Sequence, residues 1–219
     1  MNTAKAKSGA VPAKTIERLV LYRILLEEQL GQNKVHIFSN EMAEIAGNTP
    51  TQVRRDLMAI GYLGSSRHGY RIDELLKGIR SLLEPEGGTT MAIVGVGNLG
   101  RALLGYFSLL HPRFKIVGAF DNDANKINRT ISGYRVSHIG EMPVELAKKP
   151  AQLGVITVPP DQAQKAVDYC VMANVKGIVN FAAMPIRVPR GVWLENMHIT
   201  STLEKVAYFS RVKQQGEAL

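Results

Sequence analysis

The chain has 219 residues, of which 45% are hydrophobic and 21% charged, a balance that excludes a disordered or membrane-embedded protein and supplies a core for each of two modest domains. The formal net charge of +8 permits nucleic-acid binding without locating it, because residues 1–84 carry 12 basic against 9 acidic side chains and the remainder carries 15 against 10. A single cysteine, Cys170, excludes an internal disulfide framework, and no apolar run approaches the roughly 20 residues that cross a bilayer, so a cytoplasmic protein with no membrane partner is expected.

Residues 1–14 are small, polar and basic and read as a flexible arm. From Ile16 to Leu30, apolar residues recur at helical spacing (Leu19, Val20, Tyr22, Ile24, Leu25, Leu26), and Gly31 ends that helix. Ser39 is the expected N-cap of a second helix running through Met42, Ala43 and Ile45. Thr49 caps a third, with Pro50 at the favoured first position, through Val53, Leu57 and Ile60. Two short helices around Ala46-Gly47-Asn48 read as a helix-turn-helix. The stretch Gly61–Ile72 reads as a glycine-rich hairpin, the wing of a winged helix, after which Asp73 caps a helix to about Leu83. Pro85-Glu86-Gly87-Gly88 is a linker. The expected division is therefore a winged-helix domain over 15–84, a linker over 85–89, a Rossmann domain over 90–199 and a C-terminal helix over 200–219.

Beyond the linker, strands at Met91–Val94, Lys115–Phe120, Val136–Ser137, Leu153–Val158 and Gly177–Phe181 alternate with helices at 98–110, 141–148 and 160–174. This alternation implies an α/β fold with a doubly wound parallel sheet. A last helix follows Ser201-Thr202-Leu203-Glu204, which has capping-box spacing.

The apolar strand Met91–Val94 runs straight into Gly95-Val96-Gly97-Asn98-Leu99-Gly100. Such glycines serve a tight turn, backbone approach to a pyrophosphate, and close helix–strand packing, while the helix N-terminus faces the phosphates. Asp121 follows 21 residues after Gly100, at a strand end, where a carboxylate accepts from ribose hydroxyls and repels a 2′-phosphate. The expected cofactor is NAD(H), with Asn122 and Lys126 close by. Thr157, Val158, Pro159, Asn180 and Phe181 end strands where the nicotinamide would lie.

Sequence reading by an HTH needs donors at the start of the recognition helix and cations for phosphates. Thr49, Thr51, Gln52, Arg54 and Arg55 occupy that place. Gln52 is suited to adenine and Arg55 to guanine or phosphate, while Arg54 has Asp56 and Glu41 as alternative partners. Arg67, His68 and Tyr70 of the wing, and Lys5, Lys7 and Lys14 of the arm, complete the set. Two other readings remain open. One is an NAD-dependent oxidoreductase with His138 as proton donor, and the other a thiol sensor using Cys170, whose apolar neighbours Val167 and Val171 favour burial instead.

Taken together, the strings Thr51–Leu57, His68-Gly69-Tyr70, Val94–Gly100, Ala119-Phe120-Asp121 and Lys176–Phe181 resemble, in this order, the Rex family of redox-sensing repressors, from about Ile16 to Phe209. The resemblance implies a homodimer on palindromic operator DNA, with each C-terminal helix swapped into the partner subunit. It also implies release of DNA by NADH and DNA binding with NAD⁺, at genes of NADH reoxidation. Against the family pattern, Ile24 stands where many members have an arginine and His198 where they have an aspartate, two groups that take part in the switch, so a Rex-like repressor with a weakened NADH response is a third open reading. His68 replaces an extra wing glycine.

Overall fold

The computed structural model describes residues 11–65 and 67–216; Lys5 and Lys7 lie outside the described residues. The chain divides after Glu86 into two compact units.

In the first unit, α1 (Ala13–Gly31), β1 (His36–Ile37), α2 (Ser39–Ala46), α3 (Pro50–Ala59), β2 (Tyr70–Arg71) and α4 (Ile72–Leu83) follow in order. Leu19, Tyr22 and Leu26 of α1 share one face and meet Val53 and Leu57 of α3 and Leu75, Leu76 and Ile79 of α4 in a single core. The apolar stripe expected for α1 is too broad: Val20, Ile24 and Leu30 are exposed. Arg23 instead is buried, its guanidinium 3.2 Å from Glu27 and 3.8 Å from Glu84.

Three local expectations need correction. Ser39 is the first residue of α2 rather than its cap, and the Glu41 carboxylate accepts the Phe38 N–H at 2.7 Å. Asp73 lies inside α4, paired with Arg71 at 2.6 Å. In the wing, β2 pairs antiparallel with β1 rather than within the expected Gly61–Ile72 hairpin, with Ile37 opposite Tyr70. Among the described residues, the tip closes by a bridge between Ser65 and Gly69. The sheet is thus built from residues 33 and 35 positions apart, which local alternation cannot reveal.

The second unit contains β3 (Thr89–Val94), α5 (Asn98–Leu110), β4 (Phe114–Asp121), β5 (Thr130–Ile131), β6 (Tyr134–His138), α6 (Met142–Lys148), β7 (Leu153–Ile156), α7 (Ala163–Met172), β8 (Gly177–Asn180), β9 (Trp193–Asn196) and α8 (Ile199–Gly216). The sheet order is β5-β6-β4-β3-β7-β8-β9, parallel except for β5 against β6. Along β3, Ala92 and Val94 pack with the α6 and α7 residues Met142, Leu146, Val167 and Cys170, while Met91 and Ile93 pack with Leu104 of α5. This is the alternation of a strand covered on both faces. The strand order reverses between β3 and β7, so a crevice opens beyond their carboxyl ends.

β7 and β8 stop at Ile156 and Asn180, short of the expected Val158 and Phe181. The edge strand β9 escapes sequence detection because it has four residues, none of them buried. α8 starts at Ile199, two residues before the expected cap Ser201, and Thr202 Oγ1 donates to the His198 carbonyl at 3.1 Å. All described side chains of α8 are exposed, including Leu203, Val206, Tyr208 and Phe209.

Candidate functional site

The crevice begins with the turn that leaves β3. Gly95 has φ of +95°, the left-handed region that L side chains rarely enter. A Cβ on Gly100 would lie 2.0 Å from the Gly95 carbonyl oxygen, so helix and strand could not approach as they do. A Cβ on Gly97 would meet nothing within 4 Å, which leaves open space beside the backbone where a pyrophosphate would lie. The first helical hydrogen bond at the start of α5 is Arg101 N–H to Gly97 O at 2.9 Å. The amides of Asn98, Leu99 and Gly100 precede it and are available to an anion.

Asp121 closes the turn from the side. Its Oδ2 accepts the Val96 N–H at 2.7 Å and the Lys126 ammonium at 3.1 Å, and its Oδ1 accepts the Asp123 N–H at 2.9 Å. Burial pushes the carboxyl pKa up. The amides of Asp123 and Val96 together with Lys126 outweigh burial and hold the value below the usual range. An ionised carboxylate therefore stands at the crevice with a lone pair of Oδ1 left for a ribose hydroxyl.

Two adjoining clefts line this edge. One, of about 490 Å³, is bounded by Gly95, Gly97, Leu99, Asp121, Asn122, Lys126, Thr157, Val158, Pro159 and Phe181 among others. The second, of about 280 Å³, shares Gly95, Asp121, Asn122 and Val158, and adds His138, Lys165 and Tyr169. Thr157 holds the wall in place by donating to the Gly95 carbonyl at 2.6 Å. Asn122 Nδ2 donates to Gln162 Oε1 at 2.9 Å, and Gln162 lines both clefts. Gln162, Lys165 and Tyr169 were missed by sequence reasoning, since no motif marks residues of the following turn and helix.

The residues present fit an adenine dinucleotide: an open glycine turn, free helix amides, and a carboxylate at the strand end. Bound there, the nicotinamide would exist either as a neutral reduced ring or as a cation.

Some expected cofactor residues play another part. Asn180 is fully buried, and its side chain bonds Asn196 Oδ1 at 2.9 Å, the Met184 carbonyl at 3.1 Å and the Ala182 N–H at 3.0 Å. It ties β8 to β9 and does not line either cleft. The Val96 side chain is in the core, so its backbone alone faces the turn. Asn98 is exposed at the helix start. His138 Nδ1 accepts the Gly140 N–H at 3.1 Å, which caps a turn of 3₁₀ helix and gives this histidine a structural task.

The nucleic-acid side lies in the first unit. Thr49 caps α3, its Oγ1 accepting the Gln52 N–H at 3.2 Å. Thr51, Arg54 and Arg55 are exposed, as are Lys14, Arg67 and His68. Arg54 pairs with neither Asp56 nor Glu41; its guanidinium donates to Ser39 Oγ at 2.9 Å, and Glu41 is taken by Lys34 at 2.8 Å. Ser65 Oγ accepts the amides of Arg67 and His68, each at 3.2 Å, and so shapes the wing tip. Tyr70 departs from expectation: it is a core residue, its ring packed where a Cβ on Gly64 would come within 2.5 Å.

The least anticipated feature is Asp56. Buried on α3, it receives Arg18 Nε and one Arg18 terminal nitrogen at 2.6 and 2.7 Å, the Tyr22 hydroxyl at 3.0 Å and Gln52 Nε2 at 2.9 Å. Burial acts to raise the Asp56 pKa, but these donors hold it below the ordinary value, while burial pushes the Tyr22 hydroxyl well up. Asp56 is thus an internal anchor between α1 and α3.

Comparison with known proteins bears on both units. The family described as CoA binding domain matches residues 87–184, and that described as "Putative DNA-binding protein N-terminus" matches residues 10–57. The redox-sensing transcriptional repressor Rex of Caldicellulosiruptor bescii is 34% identical over 92% of this chain and 93% of its own. That of Maridesulfovibrio salexigens is 36% identical over 92% and 97%. Among solved structures, the Rex-family repressor RSP in complex with β-NAD⁺ and operator DNA superimposes with a TM-score of 0.87 at 30% identity, covering 96% of this chain and 97% of that one. RSP with β-NADH gives 0.83 at 29% identity, covering 96% and 99%. Identity at this level over nearly the full length of both chains, on a winged-helix unit and a Rossmann unit joined in this order, makes the chain a member of the Rex family of redox-sensing transcriptional repressors.

Proposed function

We propose that the protein is a cytoplasmic repressor that binds palindromic operator DNA as a homodimer when it holds NAD⁺ and leaves it when it holds NADH. The observation that carries this reading is the ionised Asp121 beside an open glycine turn, in a chain whose first unit presents Arg55, Arg67 and His68 on a winged helix. The RSP complexes with β-NAD⁺ plus operator and with β-NADH support it.

A dimer must hold two recognition helices at the spacing of two half-sites. A cofactor alters this only by binding one arrangement more tightly than the other, and a near-complete switch needs about 5 kcal/mol of difference. The oxidised ring is positive and the reduced ring neutral. Leu99, Val158 and Phe181 line the larger cleft, so the neutral ring is favoured there, since an unpaired buried cation is costly. The exposed apolar residues of α8 support its burial on a second copy of the chain, swapped into the partner subunit. The protein acts as a regulator rather than a catalyst, and the capping role of His138 supports this.

Fluorescence anisotropy of a labelled operator duplex tests the reading. Affinity falls by tenfold or more when NADH replaces NAD⁺; equal affinity in both overturns it.

A further inference from the structure

Resting on that reading of the first unit as DNA-binding, we infer that Asp56 fixes the orientation of the Gln52 amide, so that Gln52 addresses the operator with its oxygen and contacts the amino group of one base pair, adenine N6 or cytosine N4. A free glutamine side chain reads bases ambiguously, because its amide can turn to present either its NH₂ or its oxygen. Here the choice is made inside the protein. Asp56 accepts from Arg18 twice, from Tyr22 and from Gln52, which uses the approximately four lone-pair sites of a carboxylate. Turning the amide would set Gln52 Oε1 against an ionised oxygen and forfeit a charge-assisted hydrogen bond.

The Arg18 guanidinium, held also by Thr15 Oγ1 at 3.1 Å, keeps that carboxylate in place from α1. Gln52 is only partly buried, it sits three residues into α3, and its Oε1 accepts no hydrogen bond from the described residues. What it offers outward is an acceptor and one remaining N–H. An outward acceptor suits a base amino group and opposes guanine O6 or thymine O4. One remaining N–H cannot serve both N7 and O6 of guanine. Arg18 and Asp56 are therefore positioning residues for base readout, acting through Gln52.

The test uses the full-length protein with NAD⁺ and a duplex selected by it from a randomised pool. Gln52→Ala first identifies the base pair at which discrimination is lost. At that pair, the amino group is removed by placing purine for adenine or 2-pyrimidinone for cytosine, and anisotropy is read for each protein. The expected result is roughly five- to tenfold weaker binding by the wild type, as for one lost hydrogen bond, and no change for Gln52→Ala. Asp56→Asn, whose amide can face Gln52 either way, shows a smaller effect of amino removal at unchanged salt dependence. An effect of amino removal as large in folded Asp56→Asn as in the wild type overturns the role given to Asp56; should that variant fail to fold, the wild type and Gln52→Ala still decide whether Gln52 presents its oxygen. If amino removal is neutral for the wild type while 7-deazaadenine weakens binding, Gln52 donates and the inference is overturned. If Gln52→Ala leaves every position unchanged although the wild type selects a sequence, it is likewise overturned, with the DNA-binding reading intact. No selection of any sequence by the wild type would overturn both.

Discussion

The Asp121 carboxylate accepts the Val96 amide at 2.7 Å, tying the end of β4 to the glycine turn that leaves β3. One side chain thus shapes the turn and presents charge to whatever occupies it. Substitutions can separate these two tasks.

Gly97 and Gly100 differ in what a methyl group would meet. Gly97→Ala enters open space at a φ of −80°, so it folds with stability within about 0.5 kcal/mol of the parent. Its NADH affinity falls at least about tenfold, because the methyl group occupies the approach to the pyrophosphate. Gly100→Ala forces its Cβ onto the Gly95 carbonyl and costs about 1–3 kcal/mol of stability as well. Thermal unfolding and calorimetry on both variants check the contrast.

Asp121→Asn keeps an oxygen for the Val96 N–H but removes the charge and releases Lys126. The ratio of NADH to NADPH affinity then falls by about tenfold or more, equal to about 1.4 kcal/mol. Competition binding with the two cofactors measures it. An unchanged ratio would mean that the 2′ position lies elsewhere.

The pH dependence of stability follows from Asp56. Its folded pKa lies below the ordinary 3.8, so the folded protein binds fewer protons than the unfolded chain as acid is added. The contribution is complete above pH 3.8 and is lost as pH falls through the folded value. Asp121 has the same sign. Urea unfolding between pH 3 and pH 7 gives a curve that rises with pH. In Asp56→Asn that rise is shallower, with a loss of about 3 kcal/mol at neutral pH from the broken Arg18 pair.

Cys170 is fully buried against Gly154, and burial pushes its thiol up to about 12. A protonated, covered thiol is a poor nucleophile. The native protein therefore resists alkylation by iodoacetamide at pH 7, and diamide leaves operator binding unchanged. Rapid labelling without unfolding would revive the thiol-sensor reading.

The glycine turn and Asp121 were legible in the sequence because each residue answers a local need beside a strand of obvious pattern. The start of α3 was legible for the same reason, through Thr49 and Pro50. What escaped was set by distant partners. Asp56 reads as a surface acid until Arg18, 38 positions away, is brought against it. Asn180 ends a strand as a cofactor residue would, but β9 supplies Asn196 and takes its side chain inward. Tyr70 sits in a polar, glycine-rich wing, yet β1 draws it into the core. Composition near a residue gave no hint of these outcomes, since burial is decided by elements that the local pattern does not contain.

Coupling between cofactor occupancy and DNA engagement is reciprocal. The most direct measurement is calorimetric titration of NADH into the protein alone and into the protein saturated with operator. Operator is expected to weaken NADH binding by the same factor by which NADH weakens operator binding. Identical NADH affinity with and without DNA would contradict it.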